Sequence, residues 1–158
     1  FKELCGCGIG FKLLQAYLIR KQLDPSIANA YLDLVAIAIG ADIVPMVGEN
    51  RVLAFYGMRV INQSPRAGLR ALIERSGKTG ELSISDVVFG IAPRINAAGR
   101  IEHGKRAVEI LIEQENDLYN YKIIEKLHLK PNFRVNKSVN TNKRLLNHFK
   151  KQYDVMIS

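Results

Sequence analysis

The sequence has no tryptophan, two cysteines and five prolines in 158 residues. The cysteines, Cys5 and Cys7, are one residue apart. They cannot build a disulfide framework, and two thiols are too few for a structural zinc site. This usage fits a reducing compartment, so a cytoplasmic location is expected. Long hydrophobic runs are also missing. A membrane span needs roughly 18 uninterrupted apolar residues, and the longest candidate, Tyr31 to Val47, carries Asp33, Asp42 and Pro45. No membrane partner is therefore expected. There is no internal repeat, no low-complexity tract and no secretory signal, and the start at Phe1 reads as if cut from something longer.

The residues present describe a globular chain, 47% hydrophobic and 24% charged, which excludes wholesale disorder and collagen-like repeats. At this length one ordinary domain, or two small ones, can bury roughly 68–70% of the unfolded surface without a staple. The net charge is +8, and it is unevenly spread. Residues 126–158 hold eight Lys and Arg against one acid, Asp154. Such a tail can neutralise phosphates, or it can be a solvated terminal segment.

The periodicity is mostly helical. Ile9, Leu13, Leu14, Tyr17 and Leu18 recur at helical spacing and predict a helix over 7–22 with that face buried. Asp24-Pro25 is a cap-plus-proline start for a second helix reaching about Ile39. There Val35, Ile37 and Ile39 also alternate as a buried strand would. A helix over 49–61 presents Val52, Leu53, Tyr56 and Val60. Ser64-Pro65 repeats the cap-plus-proline device before Leu69, Leu72 and Ile73, and Gly77 stops that helix. Ser83 and Asp86 form a capping box. Residues 90–104 read as a loop, followed by helices over 105–113 and 117–129. Pro131 interrupts the last of these, and Tyr153 to Ile157 reads as a possible strand start.

Two segments could carry chemistry. Asp42 is an acid in an apolar stretch, Ala41-Asp42-Ile43-Val44-Pro45. A buried carboxylate needs hydrogen bonds, a cation or a metal, and oxygen-rich Mg²⁺ or Mn²⁺ sites use such groups. The alternative is a helix-end cap or a salt-bridged structural acid. Asp33, nine residues earlier, reads as structural. The second segment is Ala92-Pro93-Arg94-Ile95-Asn96-Ala97-Ala98-Gly99-Arg100. Arg94 and Arg100 could clamp phosphate oxygens, and Asn96 could bind a phosphate, sugar or base edge. The alternative is a tight loop whose arginines pair with local acids such as Glu102.

Other signals are weaker. In Gly48-Glu49-Asn50-Arg51, Glu49 suits a helix first turn and Arg51 suits structural pairing more than a phosphate. The glycines at 6, 8 and 10 lack the lysine and the preceding strand of a phosphate loop, which favours close helix packing. Cys5 and Cys7 read as packing residues rather than a redox pair. His103, three residues past Arg100, could be a proton donor or phosphate contact, the alternative being a lone surface histidine; His128 and His148 have no acidic or cysteine partners at ligand spacing, and no Ser-His-Asp or Cys-His set can be assembled.

Taken in order, these segments resemble the RecJ family of DHH phosphoesterases. Leu4 to Leu13 (LCGCGIGFKL) is similar to the helix start after that family's DHH motif. Leu32 to Ile37 with Ala41 to Pro45 is similar to its fourth motif. Gly48 to Arg51 and Arg66 to Leu69 follow in order, and Ala92 to Arg100 (APRINAAGR) is the most specific match. The resemblance covers about residues 1–125. It implies an α/β parent fold, a parallel α/β domain joined by a long helix to a second domain, with this chain predominantly α-helical. Residues 1–114 would be the C-terminal part of the DHH catalytic domain, 115–150 the connecting helical segment, and 151–158 the start of the second domain.

The implied activity is a single-strand-specific 5′→3′ DNA exonuclease of repair and recombination, using Mn²⁺ or Mg²⁺. Asp42 would be a metal ligand and catalytic residue, and Arg94, Asn96 and Arg100 would bind nucleic acid. Single-stranded DNA and repair or recombination proteins would be partners. The other aspartate motifs and the DHH motif would precede Phe1, so this chain alone is expected to be inactive, with an apolar face left uncovered. Pro131 departs from the family's connecting helix, at about 3 kcal/mol or more if that helix were continuous. The alternatives are a non-catalytic DHH-fold scaffold or single-strand-binding subunit, or a DHH phosphoesterase acting on small phosphodiesters or pyrophosphate.

Overall fold

A computed structural model of the chain describes residues 1–101 and 104–112. The expected helix over 117–129, the break at Pro131, the basic tail, and His103, His128 and His148 lie outside the described residues. Every regular element among the described residues is helical. They fall into two compact units. The first comprises Phe1–Pro65 with Gly80–Val88, and the second Arg66–Thr79 with the described residues from Phe89 onward.

The first unit is built around α2, Leu32–Asp42. A 3-10 turn, Pro25–Tyr31, leads into it. Asp24 caps that turn by accepting a 2.8 Å hydrogen bond from the Ser26 N–H, and Pro25 occupies its first position. Leu32, Val35, Ala36, Ile37, Ile39 and Gly40 are all buried. A helix apolar on every side must be surrounded, which removes the ambiguity between helix and strand. Its neighbours are α1 (Gly6–Arg20), α3 (Gly48–Gln63) and the single turn α5 (Ile84–Asp86).

Helix α3 buries Leu53, Ala54, Gly57, Met58 and Ile61, one stripe at helical spacing. Gly57 is required there, because an added Cβ would collide with the Leu32 carbonyl oxygen and the Ala36 Cβ. The two backbones therefore touch at this crossing. At its far end the Asn62 amide clamps residue 82. It donates to the Leu82 carbonyl at 3.0 Å and accepts from the Leu82 N–H at 2.8 Å. The Ser83–Asp86 capping box forms as expected.

Several expectations are corrected. In α1 the buried residues are Gly8, Phe11 and Leu18, while Ile9, Leu13 and Tyr17 lie exposed. The stripe is wide, and only one flank is covered. Val52 and Tyr56 of α3 are exposed for the same reason. Gly6 and Gly10 do not mediate helix packing, since a Cβ at either would meet nothing within 4 Å. Ser64 is the C-cap of α3 rather than the start of the next helix.

In the second unit α4 (Ala67–Arg75) starts from Arg66, without a side-chain cap. Gly77, at φ +71°, follows its end. The largest correction lies over 90–104. A π-helical turn, Val87–Ile91, runs into α6 (Ala92–Ile101), and α7 (Gly104–Ile112) follows. Pro93 follows closely on this π turn, where the α-helical hydrogen-bond ladder is already interrupted. Ala71, Leu72 and Ile110 form the core, joined by Ile95, Ala97 and Ala107. Gly68 sits against the Ile110 carbonyl, where a Cβ would not fit, and Arg66 donates to the Leu111 carbonyl at 3.2 Å.

Candidate functional site

Asp42 is the last residue of α2 and is exposed. It forms no hydrogen bond or ion pair with any described residue. Among the described residues it therefore neither caps the helix nor pairs with a cation. Its placement is electrostatically poor, because the helix C-terminus carries partial negative charge that disfavours a carboxylate by roughly 0.3–1 kcal/mol. The next residue adds strain. Ile43 adopts φ 53°, ψ 41°, the left-handed conformation usually left to glycine or asparagine at a helix end. For an L-residue this costs roughly 1–2 kcal/mol. The turn at 42–43 is thus held in place by its surroundings.

Asn50 supplies part of that hold. It is fully buried, and its amide donates to the Glu3 carbonyl at 2.6 Å and the Pro45 carbonyl at 3.0 Å. One side chain on α3 so ties the loop after Asp42 to the segment entering α1. Nearby, Lys12 of α1 and Glu49 of α3 form a 2.8 Å ion pair, and the lysine holds the Glu49 carboxyl below its ordinary range. Asn50 was not singled out from the sequence. Nothing in a single sequence distinguishes an asparagine bridging two loops from one facing water. Arg51 is exposed and forms no pair with a described residue, contrary to the structural pairing expected of it.

Asp33 is the opposite case. It is buried in the first turn of α2, and its Oδ1 accepts from the Leu34 N–H at 2.8 Å. A carboxylate there complements the helix dipole, as the structural reading expects. Cys5 is buried and caps α1, its Sγ accepting from the Gly8 N–H at 3.3 Å. Cys7 is exposed, yet crowding around its thiol raises its pKa, with further contributions from the charges of Cys5, Asp33 and Asp42. The thiol therefore lies within the field of both carboxylates. Among the described residues no three His, Cys, Asp or Glu side chains converge as a metal cage. Asp42 fits a divalent cation as a single, unengaged oxygen ligand.

The second candidate set is divided by its own helix. Arg94, Asn96 and Arg100 all lie on α6. At 100° per residue, Asn96 and Arg100, four apart, share a face, whereas Arg94 stands about 200° away from Asn96. The Arg94 guanidinium turns back to donate to the Gly90 carbonyl, across the junction of the π turn and α6. It is half-buried, and burial lowers its pKa below the ordinary value without removing its charge. Its Nε is buried without a hydrogen-bond partner. Asn96 is exposed. The side chain of Arg100, and the expected acid Glu102, lie outside the described residues. A converging loop of three polar groups is thus replaced by a helix on which positions 94 and 96 lie on opposite sides.

The chain is 41% identical over 117 residues to the single-stranded-DNA-specific exonuclease RecJ of Bacillus subtilis, covering 73% of this chain. It is 40% identical over 110 residues to RecJ of Thermus thermophilus, covering 70% of this chain. The helices superpose on the crystal structure of Thermus thermophilus RecJ with Mg²⁺, with TM-score 0.70 and 37% identity over 81% of this chain. The chain is homologous to a segment of RecJ. The structure of the same enzyme with Mn²⁺ gives TM-score 0.68 over 78% of this chain. The chain spans 14% of the Bacillus RecJ and 16% of the Thermus RecJ, and 18–20% of the two Thermus crystal chains. No family model matches it. Among the described residues no helix is long and apolar enough to cross a membrane.

Proposed function

We propose that this chain forms part of the catalytic domain of a cytoplasmic, divalent-metal-dependent 5′→3′ exonuclease acting on single-stranded DNA in repair and recombination. In this reading residues 1–114 belong to the DHH catalytic domain, 115–150 connect it onward, and 151–158 begin a second domain. Asp42 contributes one oxygen ligand to Mn²⁺ or Mg²⁺. Arg94, Asn96 and Arg100 engage the nucleic acid.

The observation that carries this reading is the state of Asp42: exposed, without a hydrogen-bond or ion-pair partner among the described residues, at the unfavourable end of a helix dipole and beside a strained Ile43. A cation placed there relieves the electrostatic cost. When bound, a divalent metal pair activates water and stabilises the attacking and leaving oxygens of a phosphodiester. The chain's own share is narrower. Asn50 fixes the loop after Asp42, so the carboxylate is presented in one place. The Arg94 guanidinium, held at Gly90 with Nε unengaged, offers positive charge to a phosphate oxygen. One carboxylate is not a two-metal site, so this chain alone does not hydrolyse DNA.

The test uses a protein of the relatives' full length carrying this segment, 5′-labelled single-stranded DNA, and Mn²⁺. Metal-dependent degradation in the wild type, abolished by Asp42→Ala, is expected. An Asp42→Ala protein of unchanged activity returns Asp42 to a structural role. A wild type that binds single strands without cutting them supports the scaffold reading instead.

A further inference from the structure

Helix α3 turns outward a face that interleaves arginines with aromatic rings. At 100° per residue, Arg51, Phe55, Arg59, Val52 and Tyr56 fall within an arc of about 140°. The buried residues Leu53, Ala54, Gly57, Met58 and Ile61 occupy the opposite side. Arg51, Val52, Tyr56 and Arg59 are exposed, and Phe55 is partly covered.

The charges on this face say what suits it. Glu49 is the one acid of α3, and Lys12 engages it at 2.8 Å. Arg51 forms no pair with a described residue. The face therefore carries two positive charges that no carboxylate of its own helix offsets. A symmetric second copy would set these like charges against each other, whereas a polyanion complements them.

The rings hold the groups in place. The Arg59 guanidinium lies 5.9 Å from the Phe55 ring centroid, a cation–π contact. Tyr56 meets Phe55 edge-on, with centroids 5.2 Å apart and planes at 84°. Arg51, Phe55 and Arg59 follow one another a turn apart, about 6 Å per step along the axis. Guanidinium groups take phosphates, and an exposed ring takes a base. The row begins at the residue after Asn50, whose amide bonds the Pro45 carbonyl, three residues past Asp42. Its Arg51 end therefore lies near the loop that follows Asp42.

We propose that this outer face of α3 holds single-stranded nucleic acid, with Arg51 and Arg59 on phosphates and Tyr56 against a base. The proposal rests on the nucleic-acid reading given above. It adds a contact surface in the unit that contains Asp42, apart from the residues of α6. Stacking on Tyr56 is tolerant of sequence, since every base has a π face.

Strand binding is measured by fluorescence anisotropy on a protein of the relatives' full length carrying this segment, without added metal so that the strand stays intact. The probes are labelled oligo(dT) and an abasic strand of equal length and charge. Arg51→Ala with Arg59→Ala is expected to weaken binding of both probes about tenfold at physiological salt. The salt slope is expected to fall by about 1.4, at about 0.7 for each phosphate contact of a single strand. Arg51→Lys with Arg59→Lys keeps both charges and is expected to keep the slope. Tyr56→Ala is expected to lower the preference for oligo(dT) over the abasic strand about tenfold at an unchanged slope, and Tyr56→Phe to retain it.

Unchanged affinity and slope in the double alanine variant overturns the proposal. A lowered melting temperature or an altered oligomeric state alongside that result assigns the face to the rest of the longer chain or to a second copy. An undiminished base preference in Tyr56→Ala overturns the stacking contact. Arg94→Ala separates these failures from failure of the reading beneath them. If it weakens binding while the α3 variants do not, the nucleic-acid reading stands without α3. A wild type that binds neither probe overturns both.

Discussion

The two ends of α2 carry the same residue type in opposite circumstances. Asp33 is buried in the first turn, where it accepts a backbone hydrogen bond and complements the helix dipole. Asp42 is exposed in the last turn, where the dipole opposes it and no described residue engages it. A charge that stabilises its helix has a folding role. A charge kept where it destabilises its helix is available to something that is not part of the fold.

Four substitutions probe this contrast, in decreasing order of effect. Asp33→Ala removes a buried acceptor and its dipole complement, and is expected to cost about 2–3 kcal/mol in urea unfolding. A loss below about 0.5 kcal/mol would erase the distinction between the two acids. Asn50→Ala leaves the carbonyls of Glu3 and Pro45 without their donor. It is expected to cost about 2 kcal/mol and to raise hydrogen-exchange rates selectively over 43–47. Uniform exchange across the first unit would instead make Asn50 an ordinary core residue.

Cys7 reports on both carboxylates at once. Its raised pKa means less thiolate at pH 8, and so slower alkylation than a free thiol. Neutralising either acid removes a negative charge from its surroundings and lowers its pKa. Alkylation should therefore quicken in Asp33→Asn and, to a smaller extent, in Asp42→Asn, following the order in which the two charges act. A pH–rate profile of iodoacetamide labelling, in a Cys5→Ala background, reads this. A profile unmoved by both changes would place the thiol outside their field.

Much of this arrangement is legible in the sequence. The proline and capping signals at Asp24-Pro25 and Ser83–Asp86 act within a few residues, and they form where expected. The faces of α1 and α3 are less legible, because several apolar residues compete and only tertiary contacts decide which flank is covered. The stretch 90–104 misleads for a chemical reason. Proline and small residues resemble loop composition, but Pro93 follows the π turn Val87–Ile91, where the α-helical ladder is already interrupted, and alanines favour helix. Reading a helix there changes the function argued from it, since Arg94 parts from Asn96 and Arg100. The motif at Asp42 is legible as an acid among apolar neighbours. The strained Ile43 and the Asn50 clamp depend on backbone geometry and on a partner 47 residues away, which no local pattern encodes.

The central claim is that Asp42 is retained for a purpose other than folding. Thermal unfolding of Asp42→Asn beside Asp33→Asn tests it most directly. Asp42→Asn relieves the dipole clash, and its stability is expected to be unchanged or raised by up to about 1 kcal/mol. Asp33→Asn is expected to melt at a lower temperature than the wild type. An Asp42→Asn protein that loses as much stability as Asp33→Asn would make Asp42 a structural acid and contradict the account.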